Sequence, residues 1–122
     1  MLIDDMPAVL EEASALMEGH YELVTAAGRE DALEKLKSFS PDIAIIDMYL
    51  ENESAYALFD GIRGGKDIPV LFTGSDISVT ALSKIFALGV SDFVRKPFVE
   101  NILFRKIEEQ LKLFETGFRY AK

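Results

Sequence analysis

At 122 residues, with 49% apolar and 28% charged side chains, the chain has the size and composition of one folded domain, not of a disordered segment. Its formal net charge of −8 disfavours nonspecific attachment to nucleic acid or to anionic membrane, and suits a basic protein partner or a metal cation. Without cysteine there are no disulfides, thiolate metal sites or thiol catalysis, and no apolar run approaches the roughly 20 residues of a membrane span, so a cytoplasmic location is expected.

Short apolar runs alternate with longer amphipathic stretches five times. Met1–Asp4 reads as a strand, and Pro7–Glu18 as a helix with Val9, Ala13, Leu16 and Met17 on one face. Tyr21–Val24 reads as a second strand, broken by Gly28, and Glu30–Phe39 as a second helix through Ala32, Leu33 and Leu36. Ser40-Pro41-Asp42 is a turn before the most apolar strand, Ile43–Ile46. A helix over Ser54–Arg63 stops at Gly64-Gly65, and Ile68–Phe72 follows as a strand that tolerates Pro69 near its start. Ser78–Leu88 is a helix, Val90–Val94 a fifth strand, and Phe98–Phe114 a last helix with Ile102, Leu103, Ile107 and Leu111 inward. The domain spans 1–115, with 116–122 as a tail or the start of a linker.

The third and fourth strands are almost continuously apolar, which implies burial on both faces and a parallel sheet covered by helices. Five alternating units predict an α/β doubly wound fold, a flavodoxin-like three-layer sandwich of strand order 2-1-3-4-5. Ligands in such sheets bind beyond the carboxyl ends of the strands. Four of these ends carry polar residues: Asp4-Asp5, Asp47, Thr73 and Lys96.

Taken singly, each has an ordinary explanation. Asp4-Asp5 before Met6-Pro7 can cap a helix, Asp47 can be a turn acid, and Lys96 can be solvated. Gathered at one sheet edge they form a site. Oxygen ligands with no nearby His or Cys select a hard cation, Mg²⁺ most naturally. A carboxylate oxygen of Asp47 can attack phosphorus, with the Lys96 ammonium and Thr73 hydroxyl placed to stabilise a phosphoryl group.

The combination of Asp4-Asp5, Asp47, Thr73-Gly74, Gly89-Val90-Ser91-Asp92-Phe93 and Lys96-Pro97-Phe98 resembles the response-regulator receiver domain of two-component signalling over nearly the whole chain. By that resemblance Asp47 is the phosphoacceptor. Asp5 is a direct Mg²⁺ ligand, Asp4 acts largely through water, and the carbonyl of Tyr49 completes the protein ligands. Thr73 and Lys96 contact the phosphoryl group, Phe93 is the aromatic that turns inward when Thr73 moves, and the Lys96–Pro97 bond is cis. Tyr49 and Ser75 flank the phosphoryl group.

The resemblance implies a sensor histidine kinase or phosphotransfer protein as donor and an output domain or downstream protein as target. It implies no direct contact with nucleic acid or membrane, and no enzyme activity beyond the domain's own phosphorylation and dephosphorylation. The surface built from the fourth helix, fifth strand and fifth helix is expected to change partner affinity.

Three features depart from the family pattern. Glu51 and Ala55 stand where proline and glycine are usual, and the first strand is short. They motivate an alternative, a phosphorylation-independent receiver-like interaction module. A phosphatase or phosphomutase of the haloacid-dehalogenase type fits less well, because Tyr49 stands where that class needs a second acid.

Overall fold

The computed structural model describes residues 1–50, 57–58, 60–61, 68–87 and 92–118. Its five strands are β1 (Leu2–Ile3), β2 (Thr25–Ala26), β3 (Ala44–Asp47), β4 (Val70–Gly74) and β5 (Phe93–Arg95). They form one sheet in the order β2-β1-β3-β4-β5, with every pairing parallel. The helices with assigned ends are α1 (Pro7–Met17), α2 (Arg29–Lys35), α3 (Val79–Ala87) and α4 (Glu100–Glu115). The helix expected over Ser54–Arg63 lies largely outside the described residues, although Leu58 is fully buried in the core. Glu51 and Ala55 lie outside them as well. α3 and α4 are therefore the fourth and fifth helices expected from the sequence.

The core shows why two-sided apolar strands were needed. Successive strand residues point to opposite faces, so Leu2 and Ile3, Ile45 and Ile46, and Leu71 and Phe72 divide between two clusters. One cluster is closed by α1 and α4 through Ala13, Met17, Leu103 and Ile107. The other is closed by α2 and α3 through Ala32, Ala81 and Ile85. No described helix is long and apolar enough to cross a membrane.

Several element ends move from the positions expected. β2 begins later than Tyr21–Val24 because pairing, not hydrophobicity, defines it. Leu2 N donates to Val24 O at 2.9 Å and Asp4 N to Ala26 O at 3.0 Å, so the ladder runs over 24–26. Tyr21 and Leu23 are still packed, beside α1 and α4. β4 and β5 run further toward the site than their apolar residues do, because Asp47 pairs with Thr73, and Gly74 with Arg95. α2 is shorter than expected: its last turn tightens, with Lys37 N donating to Glu34 O and Ser38 N to Lys35 O.

α1 begins with Pro7 after the N-cap residue Met6, and no side chain caps it. Asp4 does not take the capping role open to it. Asp4 Oδ1 instead accepts from Met6 N at 2.9 Å, before the helix starts. α3 does receive a side-chain cap, since Ser78 Oγ accepts from Ala81 N at 3.1 Å.

Candidate active site

The parallel register delivers the polar residues to one edge. Asp4 directly follows β1, Asp47 is the last residue of β3, and its partner in β4 is Thr73. Lys96 follows β5, and its backbone N donates to Gly74 O at 3.0 Å. Carboxylate oxygens of Asp4, Asp5 and Asp47 all lie within 4.8 Å of one another. Asp4 is fully buried, Asp47 is 4% exposed and Asp5 is half-buried.

Lys96 brings a cation into this cluster. Lys96 Nζ donates to Asp4 Oδ2 at 2.9 Å and stands 3.6 Å from Asp47 Oδ2. Asp47 Oδ1 also accepts from Tyr49 N at 3.2 Å. Burial pushes the Asp47 carboxyl above its usual range, with the charges of Asp4 and Asp5 acting in the same direction. The Tyr49 N–H and the Lys96 ammonium oppose that rise without cancelling it. Three carboxylates gathered around the Lys96 ammonium make a strongly anionic pocket, suited to a further cation. The donor set, oxygen only and compact, fits Mg²⁺.

Thr73 supplies the complementary signal. Its hydroxyl is buried, and Thr73 Oγ1 has no hydrogen-bond partner among the described residues. An unsatisfied buried polar group costs roughly 1–3 kcal/mol, so the Thr73 hydroxyl beside Asp47 is available to donate to an acceptor at this edge. Gly74 lets the Ile77 and Tyr49 side chains pack close to the strand. A Cβ there would lie 3.0 Å from Ile77 Cγ1 and 3.4 Å from Tyr49 Cε2.

Tyr49, two residues past Asp47, is 52% exposed, and Ser75, two residues past Thr73, is exposed as well. A cavity of about 220 Å³ adjoins Lys96, lined by Met6, Val9, Ser75, Pro97 and Phe98 among others. The Lys96–Pro97 bond is cis, as the resemblance implied. Phe93 stands apart from the carboxylates, half-buried in β5 opposite Phe72.

The structure therefore brings Asp4, Asp5, Asp47 and Lys96 together, with Thr73 on the strand beside Asp47. Two features were not anticipated from sequence. Lys96 is engaged chiefly by Asp4, and Lys106 of α4 reaches Phe93. No motif marks either contact, because each joins residues brought together only by the fold.

A parallel sheet with three acids and a lysine gathered at its carboxyl edge is a doubly wound α/β domain with a candidate cation site. Residues 1–108 match the family model described as the response regulator receiver domain. The chain is 31% identical over 119 residues to the heme response regulator HssR of Staphylococcus saprophyticus, covering 96% of this chain and 53% of that protein. It is 30% identical over 107 residues to HssR of Staphylococcus aureus, covering 86% and 48%. The chain thus spans about half the length of these curated relatives.

Among solved structures, a CheY-like receiver domain protein from Methanospirillum hungatei superposes with a TM-score of 0.84 at 21% identity, covering 96% of this chain and 95% of that one. The chemotaxis protein CheY4 of Vibrio cholerae gives 0.81 at 22% identity, covering 89% and 94%. These two show the shared fold. The chain belongs to the response regulator receiver domain family, the signalling domains of two-component systems.

Proposed function

We propose that this domain is phosphorylated on Asp47 by a histidine kinase or phosphotransfer protein, with Mg²⁺ held by Asp5, Asp47 and the Tyr49 carbonyl, and by Asp4 largely through water. What carries the reading is a buried hydroxyl, on Thr73, with no partner among the described residues and set beside a carboxylate whose neighbours are two further acids and a lysine. The bound cation would neutralise phosphoryl oxygens and lower the repulsion between them and the carboxylates.

An oxygen of ionised Asp47 attacks phosphorus of the donor phosphohistidine. The new O–P bond forms as the P–N bond breaks, and the electron pair leaves with the imidazole nitrogen. The raised affinity of Asp47 for a proton goes with a more nucleophilic carboxylate. Lys96 is held at the site by Asp4 and needs only a short movement to follow an incoming phosphoryl oxygen. The Thr73 hydroxyl then gains an acceptor, and its movement favours an inward turn of Phe93. The surface of α3, β5 and α4 changes its affinity for an output domain or downstream protein because phosphate interacts better with one of the two states.

Acetyl phosphate with Mg²⁺ is the direct test. The native protein is expected to gain one base-labile, hydroxylamine-sensitive phosphoryl group, and Asp47→Ala to gain none. Stoichiometric labelling of Asp47→Ala would remove Asp47 as the acceptor.

A further inference from the structure

We propose that Lys106, assisted by Arg95, is a cationic latch that holds Phe93 in its resting, half-buried position, so that the strength of this latch sets how readily the domain activates. The proposal rests on Phe93 as the switching aromatic.

β5 is the edge strand of the sheet, so only one of its sides is paired, with β4. Its outer edge presents carbonyls to be satisfied by other means. Lys106, on α4, reaches back to this edge: its Nζ donates to Phe93 O at 2.5 Å and to Asp92 Oδ1 at 2.8 Å. Asp92 Oδ1 also accepts from Phe93 N at 2.8 Å, so the carboxylate grips both the strand and the lysine. The Lys106 and Asp92 side chains are only 18% and 28% exposed, which fixes the ammonium more firmly than a surface pair would.

The same ammonium lies 5.2 Å from the centroid of the Phe93 ring. Arg95, two residues along the strand, places its guanidinium carbon 5.4 Å from that centroid. Both distances fall within the range in which a cation is attracted to an aromatic face.

The contacts of Lys106 divide into two kinds. Those to Asp92 and to the Phe93 carbonyl involve groups that stay in place when the Phe93 side chain rotates. The ring contacts do not survive such a rotation, because a change of χ1 carries the ring away from both cations. Only the ring contacts discriminate between the two positions of Phe93, and they favour the resting one. By linkage, weakening them must raise affinity for whatever prefers the inward position. Contacts of this class shift an equilibrium by about twofold to thirtyfold.

The experiment compares native protein with Lys106→Met, Lys106→Arg and Arg95→Gln. Met keeps the apolar stem and deletes the charge, whereas Arg restores charge and donors. The χ1 rotamer populations of Phe93 are read from three-bond couplings to Cγ in labelled protein, without ligand. Beryllofluoride with Mg²⁺ is then titrated by amide NMR.

Lys106→Met is expected to increase the inward population of Phe93 and to bind beryllofluoride about threefold to tenfold more tightly. Lys106→Arg is expected to restore both properties, and Arg95→Gln to shift them less. Unchanged Phe93 couplings in folded Lys106→Met overturn the latch. Should Lys106→Met not fold, Arg95→Gln decides, and unchanged couplings there overturn it equally. If no variant responds to beryllofluoride while the Phe93 rotamer still moves, the latch stands and the phosphoacceptor reading falls.

Discussion

The ammonium of Lys96 stands 2.9 Å from Oδ2 of Asp4, a carboxylate with no exposed surface. A lysine at this sheet edge is thus held by a buried acid before any phosphoryl group arrives. Asp4 carries two jobs at once, since its other oxygen accepts from the Met6 amide at the entry to α1. The pair joins the first and last strands of the chain across the site.

Removing one partner of a buried pair leaves an uncompensated charge and costs about 3–5 kcal/mol. Lys96→Met is therefore expected to lower the unfolding free energy by about 3 kcal/mol, measured by urea denaturation without divalent cation. Millimolar Mg²⁺ should restore more stability to this variant than to the native protein, because the acids then lack the Lys96 ammonium. Ligand at a hundred times its Kd contributes about 2.7 kcal/mol. Equal Mg²⁺ responses in the two proteins would separate the acidic cluster from cation binding.

The titration of Asp47 gives stability a defined pH dependence. Its carboxyl ordinarily titrates at 3.8, and burial with Asp4 and Asp5 beside it raises that value in the folded protein. Between the two values the native state holds more protons than the unfolded chain. The contribution of Asp47 to stability therefore falls as pH rises through this window, and recovers on acidification. Asp47→Asn removes the charge and is expected to raise the melting temperature at pH 7 by a few degrees, with a smaller gain near pH 4. Mg²⁺ competes with the same proton, so its affinity for the native protein should weaken as pH falls toward 3.8. Calorimetric melts across this range check both statements.

Gly74 separates a packing effect from an electrostatic one. It is an ordinary strand residue, and what restricts it is the space filled by Ile77 and the Tyr49 ring. In Gly74→Ala the Ile77 contact at 3.0 Å requires a shift of a few tenths of an ångström, at about 1 kcal/mol. Tyr49 stands two residues past Asp47, so the rate of labelling by acetyl phosphate should change more than Mg²⁺ affinity does. A change in Mg²⁺ affinity as large as the change in labelling rate would contradict this.

The sheet order was legible because its causes are local and repetitive. Ile43–Ile46 and Val70–Phe72 are apolar on both faces, which suits the parallel sheet found, covered by helices on both sides. The site was legible because strand ends in this fold share one edge, so Asp4, Asp47, Thr73 and Lys96 could be grouped before their distances were known. Strand limits were less so: β2 is set by the amide of Leu2 seeking the Val24 carbonyl, which no property of Tyr21–Val24 encodes. Lys106 shows the same limit. On α4 it reads as one more solvated lysine, and only docking against the edge strand gives it Asp92 and Phe93.

Thr73 offers the sharpest separation of stability from function. Its hydroxyl is buried on the strand beside Asp47 and has no partner among the described residues, so the protein bears the cost of desolvating it. Valine has nearly the same shape and no polar atom to desolvate. Thr73→Val is expected to stabilise the resting domain by about 1 kcal/mol in urea denaturation. The same change deletes the donor that a phosphoryl oxygen would meet, and hydrogen bonds to charged groups contribute about 1.5–3 kcal/mol. Beryllofluoride affinity should therefore drop at least tenfold while Mg²⁺ affinity changes little, since Asp4, Asp5 and Asp47 remain. Thr73→Ser, which keeps the hydroxyl and loses the methyl, should retain most of the beryllofluoride affinity at lower stability. A Thr73→Val protein that binds the mimic as tightly as the native one would show that the buried hydroxyl has no part in phosphoryl recognition.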